Sequence, residues 1–202
     1  MELVSDNIDF QITDLFLPMI ILIGPPGAGK TAVGEYLAKD LGWNSLDTDA
    51  VIEQATDIKI TDIFSRFGED IFRKLEKALV EHLCTLSKTS FPYTHNKGQG
   101  TVLSCGGGLP VPPENFFKLS KLGTIVALQA PANILMERVS SMRHRPLLDT
   151  NTDGEPEDNR RSRLESLIKQ RKEIYEQATL IIDTSNKTID AVARDLRTKL
   201  GL

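Results

Sequence analysis

Residues 19–31 read MIILIGPPGAGKT, and their interpretation decides the fold. Met19 to Ile23 is a short, unbroken apolar run, the pattern of a strand covered on both faces. The next eight residues, GPPGAGKT, match the spacing G-x-x-x-x-G-K-[ST]. Gly24, Gly27 and Gly29 let the backbone turn so that successive N–H groups converge on an anion. A helix over Lys30–Leu41 then adds its positive dipole end. Such a cradle, built from Gly24, Pro25, Pro26, Gly27, Ala28, Gly29, Lys30 and Thr31, suits the phosphates of a nucleotide. Lys30 would reach the β and γ phosphates, and the Thr31 hydroxyl a Mg²⁺ ion. A glycine-rich turn without a ligand is the plain alternative. Context favours the cradle, because an apolar strand precedes it and a helix follows. The motif does not say what is phosphorylated.

Outward from this stretch, strands and helices alternate, which predicts an α/β domain with a mostly parallel sheet. Further short strands are expected at Asn44–Leu46, Thr101–Ser104, Thr124–Leu128 and Leu180–Ile182. Gly68 precedes an amphipathic helix with Phe72, Leu75, Leu79, Leu83 and Leu86 at helical spacing. Helices are also expected from Pro131 to about Ser140 and over Thr188–Leu200. Ser87–Gly100 reads as a polar surface connection. Arg143–Asn159 is long and charged, with few apolar residues beyond Leu148, the composition of a lid or a disordered segment. Neither repeats nor linkers divide the chain, so 1–202 reads as one domain.

The 202 residues are 40% hydrophobic and 26% charged, with a formal net charge of −4. A slightly acidic chain repels phosphate backbones, so nucleic acid is not an expected partner. The basic clusters at Arg138–Arg145 and Arg160–Arg171 suit small anions better. Two cysteines, Cys84 and Cys105, are too few for a disulfide framework and read as buried free thiols. No apolar run approaches the ~20 residues of a membrane span, so no membrane partner is expected. The acidic N-terminus lacks the order of a signal peptide. A cytoplasmic location is expected, or an organelle if a transit segment has been removed.

The segment LDTD places Asp47 and Asp49 at the end of the second strand. Ligands of open α/β sheets bind outside the carboxyl ends of the strands. Strand alternation would aim both carboxylates the same way, toward the cradle. An N-cap at Asp49 is the competing role. Arg171 lies within a helical stripe of Leu164, Leu167, Ile168, Ile174, Tyr175 and Ala178. A charge on a core-facing stripe needs a partner. That partner could be a ligand or an internal carboxylate.

These residues resemble the shikimate kinase family from Ile20 to Leu200. The resemblance covers GPPGAGKT, Asp47-Thr48-Asp49, Gly68–Glu76 (GEDIFRKLE) and Gly106-Gly107-Gly108. It extends to the lid signature Arg145–Leu148 (RPLL) and to Arg171–Tyr175 in the pattern R-x-x-x-Y. Most of these motifs are weak singly; all six in one order are specific. The resemblance implies a three-layer α/β/α fold with a five-stranded parallel sheet of order 2-3-1-4-5. It also implies a mobile lid over 142–160 and leaves 1–17 as an N-terminal extension. The implied activity is MgATP-dependent transfer of the γ-phosphoryl group to the 3-hydroxyl of shikimate, on the route to aromatic amino acids. ATP is then the co-substrate, Mg²⁺ the cofactor, shikimate the second partner, and the chain a monomer.

The resemblance also assigns residues. Asp49, Arg73, Glu76, Gly106, Gly107, Gly108 and Arg171 would bind shikimate, the two arginines gripping its carboxylate bidentately. Glu76 would orient Arg73 or touch a substrate hydroxyl, unless it forms a plain surface pair. Arg138 would stack on adenine, unless it is only a solvated arginine near a helix end. Arg145 would reach the transferring phosphate from the lid. Lys30, Asp49 and Arg145 form the catalytic set, with Asp49 as base or orienter. Thr31 would hold the metal directly and Asp47 through a bound water. The chain has Thr48 where many members carry serine, which keeps the hydroxyl, and its lid continues into a long acidic tail, Asp149–Asp158. Two alternatives stand beside this reading: another small-molecule kinase of gluconate type, and a catalytically silent nucleotide-binding regulator.

Overall fold

The structure, a computed structural model, describes Phe10, Ile12 and residues 18–89, 100–140 and 157–202. Five parallel strands form one sheet in the order β2-β3-β1-β4-β5. They are β1 (Met19–Ile23), β2 (Asn44–Asp47), β3 (Thr101–Ser104), β4 (Gly123–Gln129) and β5 (Leu180–Asp183). Eight helices are described: α1 (Lys30–Leu41), α2 (Thr48–Thr56), α3 (Ile60–Phe67), α4 (Glu69–Thr89), α5 (Pro113–Leu122), α6 (Ala132–Ser140), α7 (Glu157–Glu176) and α8 (Ile189–Leu200).

The apolar run at 19–23 becomes the central strand, and every residue of it is buried. Its alternation divides the core in two. Met19, Ile21 and Ile23 pack with Ile52, Phe72, Leu75, Leu79 and Tyr175. Ile20 and Leu22 pack with Val33, Leu37, Leu135, Leu164 and Leu196 on the other face. Helices therefore cover both faces, the three-layer arrangement expected. Strand order reverses at β1, with β3 on one side and β4 on the other. A crevice opens there, outside the carboxyl ends of the strands.

Helices α2, α3 and α5 were not anticipated from the sequence. Each is short, with 9, 8 and 10 residues, too few turns for a helical period to stand out. The connection expected from Ser87 also begins later, because α4 continues to Thr89. Likewise α7 starts at Glu157, inside the expected loop. The rest of that loop, most of the expected lid and Arg145 lie outside the described residues. In the N-terminal extension, Phe10 and Ile12 are buried in the first core cluster. The Phe10 ring sits 5.6 Å from that of His82 on α4.

Candidate active site

The glycine-rich turn joins β1 to α1 directly. Gly24 and Gly27 have φ of 143° and 81°, and a Cβ at either would run into a backbone carbonyl, of Leu128 or Leu135. Only glycine meets both demands. Gly29, with φ 89°, occupies the N-cap position of α1 without a side-chain cap. Asp47 and Thr188, by contrast, cap α2 and α8 with their side chains. The first-turn donors of α1 are thus directed to the crevice, where an anion can meet them. Lys30 is buried, and its Nζ donates to the carbonyls of Gly24 and Pro25, both at 3.0 Å. The open cleft in front measures about 340 Å³. It is lined by the turn, Thr31, Asp47, Asp49, Cys105, Gly106 and Gly107, among others. Burial pushes the Cys105 thiol far above its ordinary pKa, so this free cysteine is a packing group.

Asp47 has two tasks. Its Oδ1 accepts from the Asp49 and Ala50 N–H groups, at 3.0 and 3.3 Å, and so fixes the start of α2. Its Oδ2 accepts from the Thr31 hydroxyl at 2.7 Å. The N-cap is therefore Asp47, and Asp49 already belongs to the helix. Strand alternation does not relate the two carboxylates; a helical turn carries Asp49 into the same cleft. Among the described residues no three His, Cys, Asp or Glu side chains gather around a metal site. A hydroxyl and a carboxylate at hydrogen-bond distance beside a phosphate cradle still fit Mg²⁺. That ion keeps several waters and takes few protein oxygens.

The glycine triplet follows β3. None of the three has positive φ, so close approach rather than turn geometry explains them. A Cβ at Gly106 would collide with Asp49 Oδ1, one at Gly107 would crowd Arg171 Nη1, and one at Gly108 would collide with the Arg73 guanidinium. The Thr48 hydroxyl, fully buried, accepts from Gly106 N–H at 2.7 Å and locks the triplet against α2. This hydroxyl is the part of Thr48 that serine would share.

Arg73 and Arg171 flank the triplet. Arg73 gives Nε and Nη2 to Glu69 Oε1, at 3.0 and 2.6 Å, and Nη1 to Glu76 Oε2 at 2.6 Å. Glu76 is only 1% exposed, which excludes a surface pair. Burial raises its pKa to about 7 despite the opposing pull of Arg73; Asp49 adds to the rise and Arg171 opposes it. Arg171 is buried, donates to the Gly107 carbonyl at 2.8 Å and faces the Tyr175 hydroxyl. Its stripe packs as read, with Leu164 and Tyr175 fully covered.

Arg138 is not a solvated arginine. It donates through Nη1 to the Thr184 hydroxyl at 3.0 Å and through Nη2 to the Thr184 carbonyl at 2.7 Å. A longer bond of 3.5 Å reaches the Gly27 carbonyl, tying the end of β5 to the cradle.

Cradle, carboxylates, glycines and arginines thus share one end of the sheet, and the same set can be compared with known proteins. The family model described as "Shikimate kinase" matches residues 26–200. The chain belongs to that family. A shikimate kinase of Thermodesulfovibrio yellowstonii is 37% identical over 177 residues, covering 88% of this chain and 91% of that protein. The solved shikimate kinase of Acinetobacter baumannii, in complex with shikimate, superposes with a TM-score of 0.76 at 33% identity. That match covers 92% of this chain and 94% of the other. The shikimate kinase structure from Bacteroides thetaiotaomicron also gives 0.76, at 26% identity, with coverage of 91% and 98%. Shikimate kinases use ATP as co-substrate, which accords with the cradle.

Three residues that hold members of the candidate site in place carry no such role in the sequence reading. Glu69 holds Arg73 from the previous helical turn, a spacing visible as i, i+4. Thr48 was read only as a substitute for serine. Thr184 anchors Arg138, and no sequence pattern pointed to it.

Proposed function

We propose that this chain catalyses MgATP-dependent transfer of the γ-phosphoryl group to the 3-hydroxyl of shikimate, giving shikimate 3-phosphate and ADP. One observation carries the reading. The phosphate cradle and Asp49 line one cleft with Gly106 and Gly107, and the guanidinium groups of Arg171 and Arg73 lie against Gly107 and Gly108 beside it, where they could pair with a substrate carboxylate.

Phosphoryl transfer asks a protein mainly for positioning and charge neutralisation. In this reading the turn from Gly24 to Thr31 binds the phosphates, and Lys30 exchanges its carbonyl partners for phosphate oxygens. Mg²⁺, held by the Thr31 hydroxyl and through water by Asp47, would supply neutralising charge at the β and γ phosphates. Arg73 and Arg171 grip the shikimate carboxylate, and Gly106–Gly108 let the ring approach bare backbone. Asp49 accepts the hydrogen bond of the attacking hydroxyl and takes its proton as the new P–O bond forms. Glu76 orients Arg73. Arg138 serves the adenine side, and Arg145, from a lid over 142–160, completes the charge around the transferring group. The proposal includes one catalytic domain over 1–202, acting as a cytoplasmic monomer; the bacterial relatives support the location.

A gluconate-type kinase would share the cradle, and a silent regulator would keep it without turnover. The family match and the arginine pair favour shikimate over both. ADP formation measured with shikimate, gluconate and nucleoside monophosphates in turn tests the choice. Shikimate alone should support turnover; activity with gluconate and none with shikimate would reject the reading.

A further inference from the structure

We propose that seating a shikimate carboxylate between Arg73 and Arg171 is coupled to uptake of one proton by Glu76, which makes Glu76 a proton-linked positioning residue. This rests on the acceptor-site reading above and deepens it.

The argument starts from charge. A guanidinium has five N–H donors. Arg73 already gives two to the carboxylate of Glu69 and one to that of Glu76. The two acids differ in exposure. The Glu69 side chain is half exposed, whereas that of Glu76 is sealed, and Glu76 Oε1 is buried without a hydrogen-bond partner. Asp49 from α2, Arg171 from α7 and the Cys105 thiol beyond β3 face Glu76 from the neighbouring elements. Three carboxylates, Asp49, Glu69 and Glu76, therefore already stand against two guanidinium groups.

An incoming substrate carboxylate is a fourth anion. A like charge close to a buried carboxylate favours its neutral form. Glu76 is the acid most ready to yield, because burial has already brought its pKa to about 7. Once neutral, it still accepts from Arg73 through Oε2, so the arginine keeps its orientation. The proton comes from solvent, sits on Oε1, the oxygen that has no hydrogen-bond partner, and returns on release.

The sign follows. The bound form has the higher pKa, so binding takes up protons in a window that begins near pH 7 and extends above it. Well below pH 7 Glu76 is already protonated in the free protein, and uptake vanishes. Within the window, shikimate affinity falls as pH rises, by up to about tenfold per pH unit where uptake approaches one proton.

Isothermal titration of the full chain with shikimate, in buffers of different ionisation enthalpy at matched pH, counts these protons. The expected result is a buffer-dependent enthalpy reporting uptake that approaches one proton per site above pH 7. Glu76→Gln keeps an acceptor for Arg73; it should bind shikimate without proton uptake and with affinity nearly independent of pH. A merely structural role would weaken binding without changing the proton count. Wild-type binding with a buffer-independent enthalpy overturns the proposal, as does undiminished uptake in the glutamine variant. Absence of any shikimate binding by the wild type overturns the acceptor-site reading itself. If the variant does not fold, infrared difference spectra of ¹³C-glutamate-labelled wild type decide. An isotope-shifted protonated-carboxyl band should appear on adding shikimate, and its absence overturns the proposal.

Discussion

Alanine at the three consecutive glycines should have three different kinetic effects, because each glycine faces a different side chain. A Cβ at Gly108 would fall on Nη1, Cζ and Nη2 of Arg73. That guanidinium cannot swing aside freely, since Glu69 and Glu76 hold it by bonds of 3.0, 2.6 and 2.6 Å. Losing one charge-assisted hydrogen bond costs about 1.5–3 kcal/mol, which corresponds to roughly 10- to 150-fold in affinity. The loss from Gly108→Ala should therefore fall on the KM for shikimate and leave the KM for ATP near normal. At Gly106 the added atom meets Asp49 instead, so Gly106→Ala should lower kcat. A misplacement of about 1 Å at a reacting group costs on the order of 10²-fold. At Gly107 the nearest atom is Arg171 Nη1 at 3.2 Å, a contact that a small shift relieves, so Gly107→Ala should be mild. Steady-state kinetics with each substrate varied in turn, with melting curves to confirm folding, separate the three. Equal effects at all three positions, or a Gly108→Ala defect confined to ATP, would refute the placement of the glycines against separate working side chains.

Thr48→Val should leave the Gly106 N–H buried without its acceptor, at a cost of about 1–3 kcal/mol; calorimetry should show a lowered Tm, whereas Thr48→Ser stays near wild type. Arg73→Ala and Arg171→Ala should each raise the KM for shikimate far more than that for ATP. Truncating one member of a buried charge pair costs about 2–5 kcal/mol, or roughly 30- to several-thousand-fold in kcat/KM, and equal effects on both substrates would make these arginines structural. Asp49→Asn should lower kcat by roughly 10²–10⁴-fold, with shikimate binding retained in calorimetry with ADP; near-normal kcat would remove Asp49 from the catalytic set.

The central strand and the phosphate cradle were legible because covalent pattern and geometry coincide there. Five apolar residues run straight into glycines that only an unusual backbone can use. Sheet order was legible only through family resemblance, since no local pattern says which strand lies beside β1. The place of Asp47 and Asp49 beside the cradle was legible from the carboxyl end of β2, but strand alternation does not relate them. Strand alternation stops at Asp47, and α2 carries Asp49 into the cleft. Arg171 stood out correctly as a charge on an apolar stripe. The hidden parts are those whose logic is tertiary. Thr48 reaches Gly106 across 58 positions, and Arg138 reaches Thr184 across 46. The seal over Glu76 comes from packing that no i, i+3 spacing reveals. Sequence shows which groups could pair; only the fold shows which pair is buried, and burial is what moves the Glu76 pKa.

The most direct measurement follows the phosphate itself. The full chain is incubated with MgATP and shikimate, and the product is examined by ³¹P–¹H correlation NMR alongside ADP release. The account predicts one phosphate ester, on the 3-oxygen of shikimate, formed in equal amount to ADP and absent when gluconate replaces shikimate. ADP release without a shikimate ester, or an ester on another hydroxyl, would contradict it.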